Sequence, residues 1–175
     1  YPQNLLVGKE QNKIMSESLE NFTNIVKEDI KEAKTLFFSE AFKEEYLKDR
    51  REEKELYHQL LLGRNRNQIL EEFLLSSGQK KPVLLSAAKT IYQATIMNLD
   101  EPLEIKVKRE GWGYLVGRIK SDGTFLSLHK NTFQAEDFED GTLTIYADMK
   151  TIPKDGDIDH LIIQTVYQTL QIEVV

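Results

Sequence analysis

Two periods of apolar residues divide this chain. Between Asn12 and Phe38, Leu19, Phe22, Ile25, Val26, Ile30, Ala33, Leu36 and Phe37 recur at steps of about three and four, with Glu, Lys and Asp between them. That spacing lines one face of an α-helix. Ser16 or Ser18 is placed to cap its start, after a short extended lead-in over Tyr1–Gly8 punctuated by Pro2 and Gly8. Ser39 restarts the pattern as the cap of a second helix reaching about Leu62, with Phe42, Tyr46, Leu56, Tyr57, Leu60 and Leu61 inward. Its middle, Lys48 to Glu55, holds no apolar residue. It is either a solvated helix held by i,i+4 ion pairs or a break between two shorter helices. Gly63 is a stop signal, and Asn67–Leu75 is a short third helix ended by Ser76-Ser-Gly78.

Past Gln79-Lys-Lys-Pro82 the period falls to two. Val83–Leu85, Ile91–Met97, Leu103–Val107 and Tyr114–Ile119 read as strands, and Leu103-Glu-Ile-Lys-Val107 alternates apolar with charged as a strand with one wet face does. Ser121-Asp-Gly-Thr124 is a tight-turn signal. Phe125–Leu128 follows, then a loop through Phe133 and Phe138, Thr142–Ala147, the turn Pro153–Gly156, Leu161–Thr165 and Leu170–Val174. Short strands separated by turn residues match a two-sheet sandwich. The boundary predicts a helical segment at 1–79 and a sandwich at 80–175.

Composition narrows the function classes. Residues 1–79 carry 12 basic and 15 acidic side chains, and residues 80–175 carry 11 and 14, so each half stands at −3. Neither half has the surplus positive charge that phosphate-backbone binding exploits, which argues against nucleic acid. With no cysteine, disulfides and thiolate metal sites are ruled out, and either redox compartment suits the chain. The apolar runs, such as Leu60-Leu61-Leu62, fall far short of the ~20 residues that cross a bilayer. Localisation stays open. A start at Tyr1 reads as a piece of something longer.

The stretch from about Pro82 to Val175 resembles the immunoglobulin-like modules of large bacterial multidomain proteins, of the hydin-like and Bacteroidetes carbohydrate-associated type. The residues that carry the likeness are Phe125-Leu-Ser127, Leu143-Thr-Ile145, Pro153–Gly156, Ile163-Gln-Thr165 and Leu170–Val174. It is also similar to tandem sandwich modules of large clostridial proteins around Thr165-Val-Tyr-Gln168. The resemblance implies an immunoglobulin-like sandwich in a modular, non-catalytic setting, with no catalytic residue to carry over. The expected fold is therefore α+β: an N-terminal helical hairpin or three-helix segment followed by an immunoglobulin-like antiparallel β-sandwich.

Candidate chemistry is sparse. Asp155-Gly-Asp-Ile-Asp159 spaces three carboxylates on alternate residues, but His160 and Val166 stand where a calcium loop needs glycine and an acid. An acidic turn is the simpler reading. Gly111-Trp-Gly-Tyr114 sets Trp112 and Tyr114 among glycines that let the strand bend. Buried, Trp112 anchors the core; exposed, the two rings stack on a sugar. His58, His129 and His160 are scattered and read as surface residues, not metal ligands. No Gly-x-Ser-x-Gly elbow occurs, and Gly8-Lys9 lacks the rest of a phosphate loop. Glu44-Glu45, Glu52-Glu53 and Glu71-Glu72 read as solvated faces, as does the sign-balanced Lys48–Glu55 run.

The expectation is a non-catalytic structural or protein-interaction module of a larger bacterial protein, without cofactor or metal. Its partners would be neighbouring domains or a partner protein that meets the helix stripe. The alternative is a carbohydrate-binding accessory module using Trp112 and Tyr114.

Overall fold

Asp29 ends one helix and starts another. The structure, a computed structural model, describes residues 19–94 and 100–175. Residues 19–28 are helical (α1). Asp29 leaves helical geometry at φ −146°, and its carboxylate accepts from the N–H groups of Lys31 and Glu32, each at 3.2 Å. This caps α2 (Ile30–Phe37). A one-residue cap leaves the apolar stripe in step, so the period reads straight through the break. The lead-in Tyr1–Gly8 and the capping serines Ser16 and Ser18 lie outside the described residues.

α3 (Glu40–Tyr46) follows Ser39, whose hydroxyl donates back to the carbonyl of Leu36 and not into α3. Leu47, fully buried, then bends the chain into α4 (Arg51–Leu60). The apolar-free stretch is thus a break and not one long solvated helix. α5 (Arg66–Ser76) is capped by Asn65, whose side chain accepts from Gln68 N at 3.2 Å. Among the described residues, five short helices replace the expected hairpin or three-helix segment. A knot of rings explains this: each short helix turns a ring to one centre. Phe37, at the end of α2, lies 5.0 Å from Phe42, 4.9 Å from Tyr57 and 5.2 Å from Phe73 between centroids, and Phe22 of α1 lies 4.7 Å from Phe42. Each buried ring contributes roughly 1.5–3 kcal/mol, with about 0.5–1.5 more for each well-oriented pair. Leu61, expected inward, is instead 37% exposed.

The helices end in a reversal. Gly78 takes φ +76°, and the N–H groups of Gln79 and Lys80 return to the carbonyl of Leu74. Lys80 Nζ then lies 2.6 Å from Glu71 Oε1, with both side chains under 5% exposed. Glu71 is therefore a buried, paired carboxylate and not part of a solvated face. The chain divides after this pair into two compact units, Tyr1–Lys81 and Pro82–Val175.

The second unit stacks two sheets, and the chain as a whole is a mixed α+β protein with a sandwich-like second unit. β1 (Leu84–Ala87), β3 (Leu103–Glu110), β7 (Thr142–Met149) and β5 (Leu126–Leu128) form one sheet in the order β1-β3-β7-β5. β2 (Ile91–Tyr92), β9 (Thr169–Val174), β8 (Asp159–Gln164), β4 (Val116–Ser121) and β6 (Thr132–Gln134) form the other, in the order β2-β9-β8-β4-β6. β2 runs parallel to β9, a departure from the all-antiparallel expectation. Ile105, Val107, Leu143 and Ile145 of one sheet and Ile119, Leu161, Ile163 and Ile172 of the other belong to one core. Of the strand expected over Ile91–Met97, residues 95–97 lie outside the described residues.

The tight-turn signal Ser121–Thr124 lies between β4 of one sheet and β5 of the other. One expectation changes beyond it. The "loop" through Phe133 holds β6, with Phe133 buried at 4%. It ends in a 3-10 turn, Ala135–Asp137, and then in a tight Asp140-Gly141 hairpin turn with both φ positive, at 50° and 76°.

Candidate functional site

His129–Asp137 runs along one lateral side of the sandwich, where the chain passes from β5 in one sheet to β6 in the other. Both are three-residue strands at the ends of their sheets. A groove of about 930 Å³ lies on the β6 side, between β4, β6 and the end of β8. A second groove of about 870 Å³ is lined from Lys106, Lys108, Thr142, Thr144 and Tyr146 across to Asp137. His129, Lys130, Thr132, Phe133 and Asp137 line both, so the two grooves meet along this segment.

The alternation of β3 and β7 builds the second wall. Ile105, Val107, Leu143 and Ile145 point inward, leaving Lys106 paired to Thr144 and Lys108 paired to Thr142 across the strands on the outer face. Tyr146, 40% exposed, stacks against His129 with ring centroids 5.9 Å apart. His129 Nε2 also sits 2.9 Å from Asp148 Oδ2. On the rim, Lys130 Nζ is 3.8 Å from Asp137 Oδ1, while Asp137 Oδ2 accepts from Gln134 N at 2.8 Å and locks the 3-10 turn. Lysines thus face an acidic rim that includes Glu136, Asp137, Glu139 and Asp140. Such a surface suits a ligand that carries both signs of charge and hydrogen-bonding groups along its length.

On the opposite lateral side, the edge of β1 is capped at Leu85. The Gln168 side chain, from the turn between β8 and β9, accepts from Leu85 N and donates to Leu85 O, each at 2.7 Å. Those backbone groups of β1 would otherwise offer a pairing template.

A family model described as "Family of unknown function (DUF5717), N-terminal" matches residues 7–175. The chain belongs to that family. Its description names neither an immunoglobulin-like nor a hydin-like module. No curated protein matches the chain.

In this DUF5717 N-terminal chain, Trp112 and Tyr114 are half-buried and neither belongs to the fully buried core. Gly111 and Gly113 around Trp112 take φ of +104° and +94°, and Arg109 donates to Gly113 O at 3.1 Å while lying over the Phe138 ring. The aromatic tetrapeptide is a bent connection between β3 and β4.

The acidic turn divides its carboxylates. Asp157 accepts from Lys154 N at 2.9 Å and closes the turn itself, whereas Asp159 is fully buried and accepts from Ser121 Oγ at 2.6 Å and Gly123 N at 2.9 Å. Among the described residues no group of three His, Asp or Glu side chains is placed to hold a metal ion. His160 Nδ1 lies 3.0 Å from Asp122 Oδ2, and its backbone N–H donates to the same carboxylate at 2.8 Å. These contacts, the backbone one foremost, hold the Asp122 carboxyl below its ordinary range. The neighbouring hydroxyl of Ser121 donates to Asp159 and not to this carboxylate–imidazole pair.

Of the helix stripe expected to meet partners, Leu19, Phe22, Val26, Ala33 and Phe37 are buried in the helical unit's own core, while Ile30 is 41% exposed. The residues that line the open side were missed. The Asp140-Gly141 dipeptide was the signal on hand, since it marks a hairpin and leaves Thr132–Gln134 to pair elsewhere.

Proposed function

We propose that this chain is a non-catalytic protein-interaction module that receives an extended stretch of polypeptide along the open side of its sandwich. The observation that carries the reading is the meeting of two grooves along His129–Asp137, beside the terminal strand β6. A peptide has what this surface asks for: backbone donors and acceptors for a strand end, and charges of both signs for the lysine wall and acidic rim. β6 offers only three residues for pairing, so side-chain contacts in the grooves would supply most of the affinity. The family description, which speaks of an N-terminal part, fits a partner segment elsewhere in a longer parent protein. Support for an immunoglobulin-like kinship lies in the strand neighbours β1-β3-β7-β5 and β9-β8-β4. Against it, β5 precedes β6 in the chain.

The test is site-specific photo-crosslinking in the parent protein as the cell makes it, with the photo-reactive residue at Thr132 and a control at exposed Lys81. The expected result is a polypeptide adduct mapped to one defined segment from Thr132 and none from Lys81. Equal labelling from both positions overturns the reading.

A second reading, carbohydrate binding, draws support from the half-exposed state of Trp112 and Tyr114 on their bent connection. A glycan array in which a sugar signal disappears with Trp112→Ala, the fold unchanged, would favour it over the first.

A further inference from the structure

The helical unit stands at −3 within its first 79 residues, yet one groove on it is basic. Lys43 of α3, Lys48 of the following turn, and Lys54 and His58 of α4 line a groove of about 560 Å³, with Glu44 as the only acidic residue in its wall among the described residues. Lys54 and His58 are four apart on α4 and therefore share a face. Lys43 and Lys54 are half-buried. Among the described residues, none of these three lysines is in an ion pair. The contrast within the same unit is Lys80, which is buried against Glu71 at 2.6 Å. Three lysines facing one hollow repel one another, and of the residues that line it only Glu44 offsets them. Such an arrangement is relieved by an anion seated between them.

We propose that this groove binds a compact phosphate-bearing polyanion, of the size of a di- or triphosphate. The lysines come from three consecutive segments around the hollow, so one orthophosphate would not engage all of them, whereas a short phosphate chain would. Three lysines against Glu44 leave a net charge of +2, and protonated His58 adds to it. A volume near 560 Å³ is ordinary for a small-ligand site. The site is separate from the open side of the sandwich and does not depend on the reading given above.

Isothermal titration of the whole chain with inorganic tripolyphosphate at ~150 mM salt tests it, the salt being enough to screen diffuse surface attraction. The double variant Lys43→Gln/Lys54→Gln is compared with Lys120→Gln/Lys150→Gln, which removes the same charge from the sandwich. One-to-one binding is expected, weakened about tenfold or more in the groove variant and changed less than about twofold in the control. Glu44→Gln should tighten binding. ATP distinguishes a nucleotide from a bare phosphate chain as the source: tighter binding of ATP than of tripolyphosphate assigns the nucleotide. No heat with the wild type up to millimolar ligand, equal losses in both double variants, or orthophosphate binding as tightly as tripolyphosphate would each overturn the proposal.

Discussion

The side-chain amide of Gln168 pairs with both backbone polar groups of Leu85, its oxygen taking the N–H and its nitrogen meeting the carbonyl, each at 2.7 Å. In effect one side chain serves as the missing neighbour of strand β1, and it comes from a turn 83 residues away in the chain. Gln168→Ala removes both bonds at a partly buried site, with an expected loss of about 1–3 kcal/mol. Because it also uncovers a strand edge, the variant should self-associate more. Urea melts and light scattering check the two effects. A variant that loses stability yet stays monomeric at high concentration counts against the edge role.

Tyr57 donates its hydroxyl to the carbonyl of Phe37 inside the ring cluster. Tyr57→Phe keeps the ring and leaves a buried acceptor unmade, which should cost about 1–3 kcal/mol in a helix-monitored denaturant melt. Burial pushes the Tyr57 hydroxyl above its ordinary value of 10.0. A raised folded-state value stabilises below the unfolded value and loses that contribution as pH rises through the folded one. The wild type should therefore lose helix stability above about pH 10 more steeply than Tyr57→Phe.

The buried Lys80–Glu71 pair gives a sharper contrast. Lys80→Met strands a carboxylate that is 3% exposed and should cost about 3–5 kcal/mol. Glu71→Met/Lys80→Met should recover most of that loss, since apolar groups need no counter-charge. A double-mutant cycle in guanidinium reads the difference, and simple additivity of the two single changes would contradict the coupling.

Asp122 predicts the acid limb. Its carboxyl is held low by the backbone N–H of His160 first, with the His160 charge and ring adding to it. A depressed folded-state value stabilises above the ordinary carboxylate range and loses that contribution as pH falls through the lowered value. Melting temperatures followed from pH 7 to pH 2.5 should drop more for the wild type than for Asp122→Asn, the two converging at the acid end. Parallel curves would remove Asp122 from the account.

Long regular elements were legible in the residues themselves. Leu103–Val107 and Thr142–Ala147 alternate because one face of their sheet meets water, and the helical stripe from Leu19 to Phe37 survives a one-residue cap. What escaped depends on distant partners. Glu71 looks like any surface glutamate until the reversal at Gly78 brings Lys80 over it. Asp159 carries the same side chain as Asp155 and Asp157, yet it alone turns inward, toward Ser121 and Gly123. Thr132–Gln134 is too short to show a period, so the open side it borders left no pattern to read. The groove of Lys43, Lys48, Lys54 and His58 was hidden in a stretch whose charges nearly cancel when counted in sequence and separate only once the chain bends at Leu47.

The position of β9 between β2 and β8 sets an order of assembly during synthesis. Ile172 and Val174 supply fully buried core from the last strand of the sandwich, so a ribosome must release that strand before the two sheets can close. The helical unit ends far earlier in the chain, at Lys81. Translation therefore delivers the residues of one unit while the other waits, open and adhesive, for β9.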